Sequence, residues 1–237
     1  MKTLRSLLFA AACLLGTLHA ATPEGFTPPK LQNADAIRYP DQLTRYGIFE
    51  GSVVLQLEID SNGSLTDWLA LAATHEGFVD HLRHRIGDWR FKAAREDGEP
   101  VVSGLLVRVD FRYNDVISLS VGEMAGAFIN SLGPTAQTKS RVAKLTQLDQ
   151  PLEPLHVVEP QAIAPQGSRL DGHATVSFYV DEQGHVRLPV VTDWEGDLTL
   201  ISTAYTALLD WRFEPPTING RPTIVQARQR FNFSPVE

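Results

Sequence analysis

Few residues in this chain stand in patterns that chemistry can use. Asp80, His81 and His84 lie within about one helical turn of one another, and imidazole is a common metal ligand. Leu82 and Ile86 fall on the opposite side of the same stretch, so the three polar residues also describe the solvated face of an amphipathic helix. The second half of the chain has Thr203 and Tyr205 in the corresponding region. We therefore read a solvated face and assign no metal. Asp60 and Asp181 each open a short Asp-x-x-Gly segment. A calcium loop needs more oxygen ligands than so short a segment offers, and each aspartate is read as the start of a turn. Gly-x-Ser-x-Gly, His-Glu-x-x-His, a phosphate-binding loop and a dinucleotide fingerprint are all missing from the sequence. No catalytic residue and no cofactor is expected, and the chain is read as no enzyme.

What remains is backbone. A strand left at the edge of a sheet offers unpaired N–H and C=O groups to another chain. Two such strands are expected, over 101–113 and 223–233, each with arginines on its outer row. The candidate partner-binding residues are Val107, Arg108, Arg112, Ala227, Arg228 and Arg230. The partner would be another protein, in an extended or acidic segment. Two other accounts of the arginines stand beside this one: they guard the edges against pairing, or the two strands cover each other.

These strands belong to an internal repeat. The run from Gly51 to Gly63 aligns without a gap on the run from Gly172 to Gly184. Trp89-Arg90-Phe91 aligns on Trp211-Arg212-Phe213, Gly98-Glu99-Pro100 on Gly220-Arg221-Pro222, and Val109-Asp110-Phe111 on Phe231-Asn232-Phe233. The offset is 121 residues in the first block and 122 afterwards. Each copy reads strand, strand, helix, strand.

In the first strand Val53, Leu55, Leu57 and Ile59 alternate with Ser52, Gln56 and Glu58; Ala174, Val176, Phe178 and Val180 take the same places in the second copy. Such alternation marks a half-buried strand. A three-residue loop with Gly63 left-handed is preferred to a two-residue turn, because a slip of one residue moves every side chain to the wrong face. It predicts Ile59 opposite Leu65, Leu55 opposite Leu69 and Val53 opposite Leu71, then Val180 opposite Val186, Phe178 opposite Leu188 and Val176 opposite Val190. Asp67, falling opposite Leu57, breaks this pattern.

Phe78, Leu82, Ile86 and Trp89 make one helical stripe, and Leu198, Ile201, Tyr205 and Leu208 another. The last strands place Val101, Leu105, Val107, Val109, Phe111 and Tyr113 inside, and Val225, Ala227, Phe231 and Phe233 in the second copy. The expected fold is α+β: two tandem two-layer domains, each a small antiparallel three-stranded sheet packed on a helix.

The repeated blocks resemble the TonB C-terminal domain family. Its pattern runs Tyr-Pro, Gly-Ile-x-x-Gly-x-Val, Asp-x-x-Gly, Trp-x-Phe and Gly-x-Pro. The first copy supplies Tyr39-Pro40, Gly47-Ile48, Gly51, Val53, Asp60, Gly63, Trp89, Phe91, Gly98 and Pro100. The second keeps Gly172, Asp181, Gly184, Trp211, Phe213, Gly220 and Pro222, with Pro165 where the first short helix would lie. The resemblance implies periplasmic protein–protein binding, with an envelope or outer-membrane protein as partner. Known members add an inner-membrane helix and a proline-rich spacer; the 15 prolines here are scattered.

Expected boundaries are a signal peptide at 1–20, a first domain at 30–113, a linker at 114–159 with a short helix at 124–132, and a second domain at 160–237. Lys2, Arg5 and the apolar stretch 7–18 have the form of a secretory leader, shorter than the roughly 20 residues a spanning helix needs. Cleavage after Ala20 would leave the mature protein in the periplasm; retention would anchor it in the inner membrane, and only then would it touch the membrane. Lipidation at Cys13 fits poorly, since Leu14 and Leu15 continue the apolar stretch. Without the leader there is no cysteine, and redox conditions place no constraint. Loss of Lys2 and Arg5 leaves 19 basic against 28 acidic residues, a balance of −9, which argues against nucleic-acid binding. With 43% hydrophobic and 21% charged residues, the bulk of the chain has the composition to fold.

Overall fold

The computed structural model describes residues 26–32, 37–114, 118–122, 139–160 and 171–233. The expected leader with Cys13, the short helix at 124–132 and Pro165 lie outside them.

The first copy runs β1 (Glu50–Ile59), β2 (Leu65–Ala73), α1 (Glu76–Arg83) and β3 (Ser103–Arg112). Three short strands follow: β4 (Ser118–Gly122), β5 (Lys139–Ser140) and β6 (Val142–Ala143). The second copy runs β7 (Gly172–Val180), β8 (Val186–Glu195), α2 (Leu198–Leu209) and β9 (Ile224–Phe233). Each copy is an antiparallel three-stranded sheet on one helix, as the repeat predicted. The sheets are then extended, to β5-β2-β1-β3-β4 and β6-β9-β7-β8.

The hairpin loop is the three-residue one. Asp60 accepts the Asn62 and Ser64 N–H groups on Oδ1 at 2.9 and 2.7 Å, and Gly63 is left-handed at φ 84°. Asp181 does the same for Gln183 and His185. The turn glycine also receives the Trp-x-Phe segment. Phe91 N–H donates to the Gly63 carbonyl at 3.0 Å, and Phe213 N–H to Gly184 at 2.9 Å. A Cβ on either glycine would stand 2.0 Å from the Phe91 or Phe213 carbonyl oxygen. Two motifs far apart in each repeat are thus two sides of one contact.

Beyond the first pair the register departs from expectation. Ile59 faces Leu65 and Val180 faces Val186, but a bulge at Thr66 then places Asp67 opposite Glu58, Trp68 opposite Leu57 and Leu69 opposite Gln56. In the second copy Ser177, not Val176, faces Val190, with shifts on both sides of that part of the ladder. A bulge adds one residue to one strand and exchanges the faces beyond it. Leu69, Leu71 and Leu188 therefore leave the helix-facing row. Asp67 ceases to be an exception, because it sits on the sheet face away from α1.

The helix-facing side of the first sheet is sealed by Phe78, Val79, Leu82, Ile86 and Trp89, all essentially buried. In α2 the buried stripe is Leu200, Ala204 and Leu208. Ile201 and Tyr205, expected inside, are only half-buried on its flank. The other faces of the two sheets meet. Val54, Leu69, Leu71, Ala72 and Leu106 from the first copy and Tyr179, Leu188 and Ile224 from the second form a third buried cluster. The layers thus run helix, sheet, sheet, helix.

Polar pairs lock this junction. Arg187 Nε lies 3.1 and 3.0 Å from the two Asp67 carboxylate oxygens, its Nη1 donates to Asp181 at 3.1 Å, and its Nη2 to the Trp68 carbonyl at 3.1 Å. Tyr179 donates to Gln56 at 3.1 Å. Burial, with Glu58 3.5 Å away, pushes the Tyr205 phenol up to about 12.

Residues expected as a plain linker are structural. β5 pairs with β2 at Ala72–Ala73, while β6 runs parallel to Ile224–Val225 of β9. Arg141 between them donates its N–H to the Leu71 carbonyl at 2.9 Å and its guanidinium to Ala70, Glu76 and Glu182. Leu148, Leu152 and Val158 pack on the second core. Residues 154–156 pair with Arg212–Phe213, the place that Lys30–Leu31 takes beside Phe91–Lys92 in the first copy.

Candidate protein-binding edge

The helix surface that suggested a metal does not assemble one. Asp80 pairs with Arg83 at 2.9 Å. The exposed His84 ring contacts the Asp80 carbonyl at 2.8 Å. His81 turns inward, its ring edge-on to Phe111 at 6.3 Å, and burial is the main cause that lowers its pKa. Among the described residues no cluster of three His, Cys, Asp or Glu can hold a metal ion. Asp60 and Asp181 serve their turns.

The strand edges differ. On β2, β5 covers Ala72 and Ala73. On β3, β4 pairs antiparallel from Leu106 to Asp110. Val107 and Arg108, expected at a free edge, are thus flanked by β1 and β4. The Val107 side chain is 1% exposed, and Arg108 donates Nε to Asp110 at 2.7 Å. Arg112 lies exposed at the strand end, opposite Glu50. On β8 the ladder shifts twice, Leu188 is left-handed at φ 49° and Pro189 has no N–H, devices that blunt an edge.

β9 is the contrast. It pairs with β7 through nine residues without a shift, from Val225 to Phe233, and β6 covers only Ile224 and Val225 on its other side. From Gln226 onward no described strand pairs with that side. Ala227, Arg228 and Arg230 lie on this stretch, Ala227 half-buried and both arginines exposed. Along the edge on the helix side runs a groove of ≈ 610 Å³. Phe178, Trp211, Phe213, Ala227, Arg228 and Gln229 line it, with residues 145–154 as the far wall. That wall is held by Asp149, which accepts the Asn219 and Gly220 N–H groups at 2.8 and 2.9 Å; these bonds keep its carboxyl below the usual range. On the opposite face a basin of ≈ 430 Å³ is lined by Thr175, Thr192, Asp193, Arg228 and Arg230.

Sequence reasoning missed the groove. Its wall comes from the stretch read as a linker, and Trp211 and Phe213 belong to the buried core of the second copy as well. The signal available was Pro151 and Pro154, which hold an extended wall.

The family model for the Gram-negative bacterial TonB protein C-terminal matches this chain twice, at residues 35–113 and 165–235. The chain belongs to the TonB C-terminal family. Among solved structures it is similar to the solution NMR structure of the Pseudomonas aeruginosa TonB CTD, at 20% identity, covering 41% of this chain and all of that one, with a TM-score of 0.30. A comparison with curated proteins gave no match. Both copies of the repeat therefore carry the TonB C-terminal pattern, and the chain is a TonB-family envelope protein-interaction module. No described helix is long and apolar enough to cross a membrane.

Proposed function

We propose that this chain is a non-enzymatic periplasmic binding protein that pairs the open edge of β9 with an extended segment of an envelope partner. The observation that carries this reading is the state of β9: a regular ladder on one side, and from Gln226 onward no described strand on the other. Each residue pair added there supplies main-chain hydrogen bonds, and flanking pockets supply selectivity. The first copy then has a different role. Its last strand is already extended by β4, and its helix-free sheet face supports the second copy.

A photo-crosslinking residue at position 229, beside the groove, tests this in living cells. Adducts with an envelope protein that vanish when Arg228, whose N–H faces away from β7, becomes proline, in a variant with unchanged circular dichroism, support the reading. Adducts that persist in the folded proline variant sink it. The periplasmic placement rests on Lys2, Arg5 and the apolar stretch that follows. The intact mass of the exported protein tests it: loss of residues 1–20 is expected, and a full-length, membrane-fractionating chain would indicate an anchored transducer instead.

A further inference from the structure

This inference rests on the strand-pairing reading and says what the paired segment is made of. Two cavities flank the β9 edge, one on each face of the sheet. The helix-side groove has an aromatic floor, Phe178, Trp211 and Phe213, which are 2%, 8% and 6% exposed. The opposite basin has Arg228 and Arg230 for its wall, with Thr175 and Thr192 behind. A strand sends successive side chains to opposite faces. We propose that β9 takes a partner segment in which apolar and acidic residues alternate, the apolar ones over the aromatic groove and the carboxylates against Arg228 and Arg230.

The two copies supply the argument about charge. Arg108 and Asp110 in the first copy correspond to Arg230 and Asn232 in the second. In the first, Arg108 is neutralised by a carboxylate at 2.7 Å. In the second, Arg230 donates Nε to a neutral amide at 3.1 Å and keeps its charge. The acid in the basin, Asp193, is engaged by His173 at 2.9 Å. In a chain of net charge −7, the outer row of this one strand is positive.

Arg108 already has its carboxylate in Asp110. Arg230 has none among the described residues, and its complement is a carboxylate, whose hydrogen bonds to guanidinium are among the stronger ones.

The test is fluorescence anisotropy of labelled peptides with the full chain. The peptides are alternating Val/Glu, alternating Val/Lys, the Val/Glu composition in two blocks, and the alternating Val/Glu peptide with backbone N-methyl groups. Alternating Val/Glu should bind about tenfold more tightly than Val/Lys, and the double variant Arg228→Glu, Arg230→Glu should reverse that order. Both arginines are exposed, so the variant keeps its fold, and a thermal scan checks this. Equal binding of the two charge types, or of the blocked peptide, with N-methylation still abolishing binding, overturns the alternating acidic preference and leaves strand pairing standing. Binding that N-methylation leaves intact, or no binding by any peptide, overturns strand pairing and the preference together.

Discussion

Arg187 of the second copy grips Asp67 of the first across 120 residues of sequence, Nε at 3.1 and 3.0 Å from the two carboxylate oxygens. Both side chains are largely covered, at 29% and 23% exposure. The same guanidinium reaches Asp181, 3% exposed. Removing one member of a covered pair leaves the other charge without its partner. Arg187→Ala should therefore lower stability by about 2 kcal/mol, read as the urea midpoint by tryptophan fluorescence. Arg187→Lys should recover little, because one ammonium cannot reproduce the fork. An unchanged midpoint in the alanine variant would show that the pair contributes nothing.

The two turn glycines should resist any side chain. Gly184→Ala puts a methyl group 2.0 Å from the Phe213 carbonyl at φ 82°. Strain in that region costs about 1–3 kcal/mol, and the clash adds to it. Gly63→Ala should behave alike. By contrast Gly98→Ala, at φ 88° but with nothing within 4 Å, should cost only the backbone strain. Thermal unfolding of the three variants separates the effects, and equal losses would mean that the contact with the Trp-x-Phe segment is slack.

The equivalent tryptophans should differ under the same change. Trp211 Nε1 donates to the Val158 carbonyl at 2.9 Å, whereas the buried Trp89 Nε1 has no partner among the described residues. Replacement by alanine should cost about 3–5 kcal/mol at either site. Replacement by phenylalanine should cost about 1 kcal/mol more at Trp211 than at Trp89, the net worth of one hydrogen bond. Chemical denaturation of the two phenylalanine variants is the measurement.

His81 gives stability a dependence on acid. Burial, with help from Arg85 and His84, lowers its pKa, while the Arg38 backbone and Asp41 oppose the shift. In the folded protein the imidazole refuses a proton that the unfolded chain accepts near pH 6.5. Stability therefore falls as pH drops below about 6.5, until the lowered folded value is passed. His81→Leu should remove that part of the slope, amounting to no more than one proton, in urea midpoints collected between neutral and mildly acid pH. An identical slope in the variant would assign it to other groups.

Much of the architecture was legible because it rests on short-range chemistry. Gly63 and Gly184 demand a left-handed turn, and Phe78 and Leu82 demand a helix; the stripe expected to continue to Ile86 and Trp89 does not stay helical, since α1 ends at Arg83, Ile86 lies in a short 3-10 turn and Trp89 is extended. Asp67 was legible only as a misfit. Its partner Arg187 lies in the other copy, and nothing local marks the bulge at Thr66 that turns it outward. β5 and β6 have two residues each, too few to show any period. The open edge was half legible: both last strands carry the same alternation, but which of them is covered depends on residues 118–122, whose pairing no local pattern declares. The exchange of Asp110 for Asn232 was visible in the aligned repeat. Its meaning needed the Arg108 and Arg230 contacts.

Residues 139–143 act as a ruler laid across the molecule. Lys139 and Ser140 are read against one sheet, Val142 and Ala143 against the other, with a single residue between the two readings. One extra residue at this point would offset the sheets by about 3.3 Å and misalign the Arg187 fork with its target. Chain length is therefore fixed here as strictly as in a buried strand, and drift in the spacing of the two halves must be absorbed elsewhere.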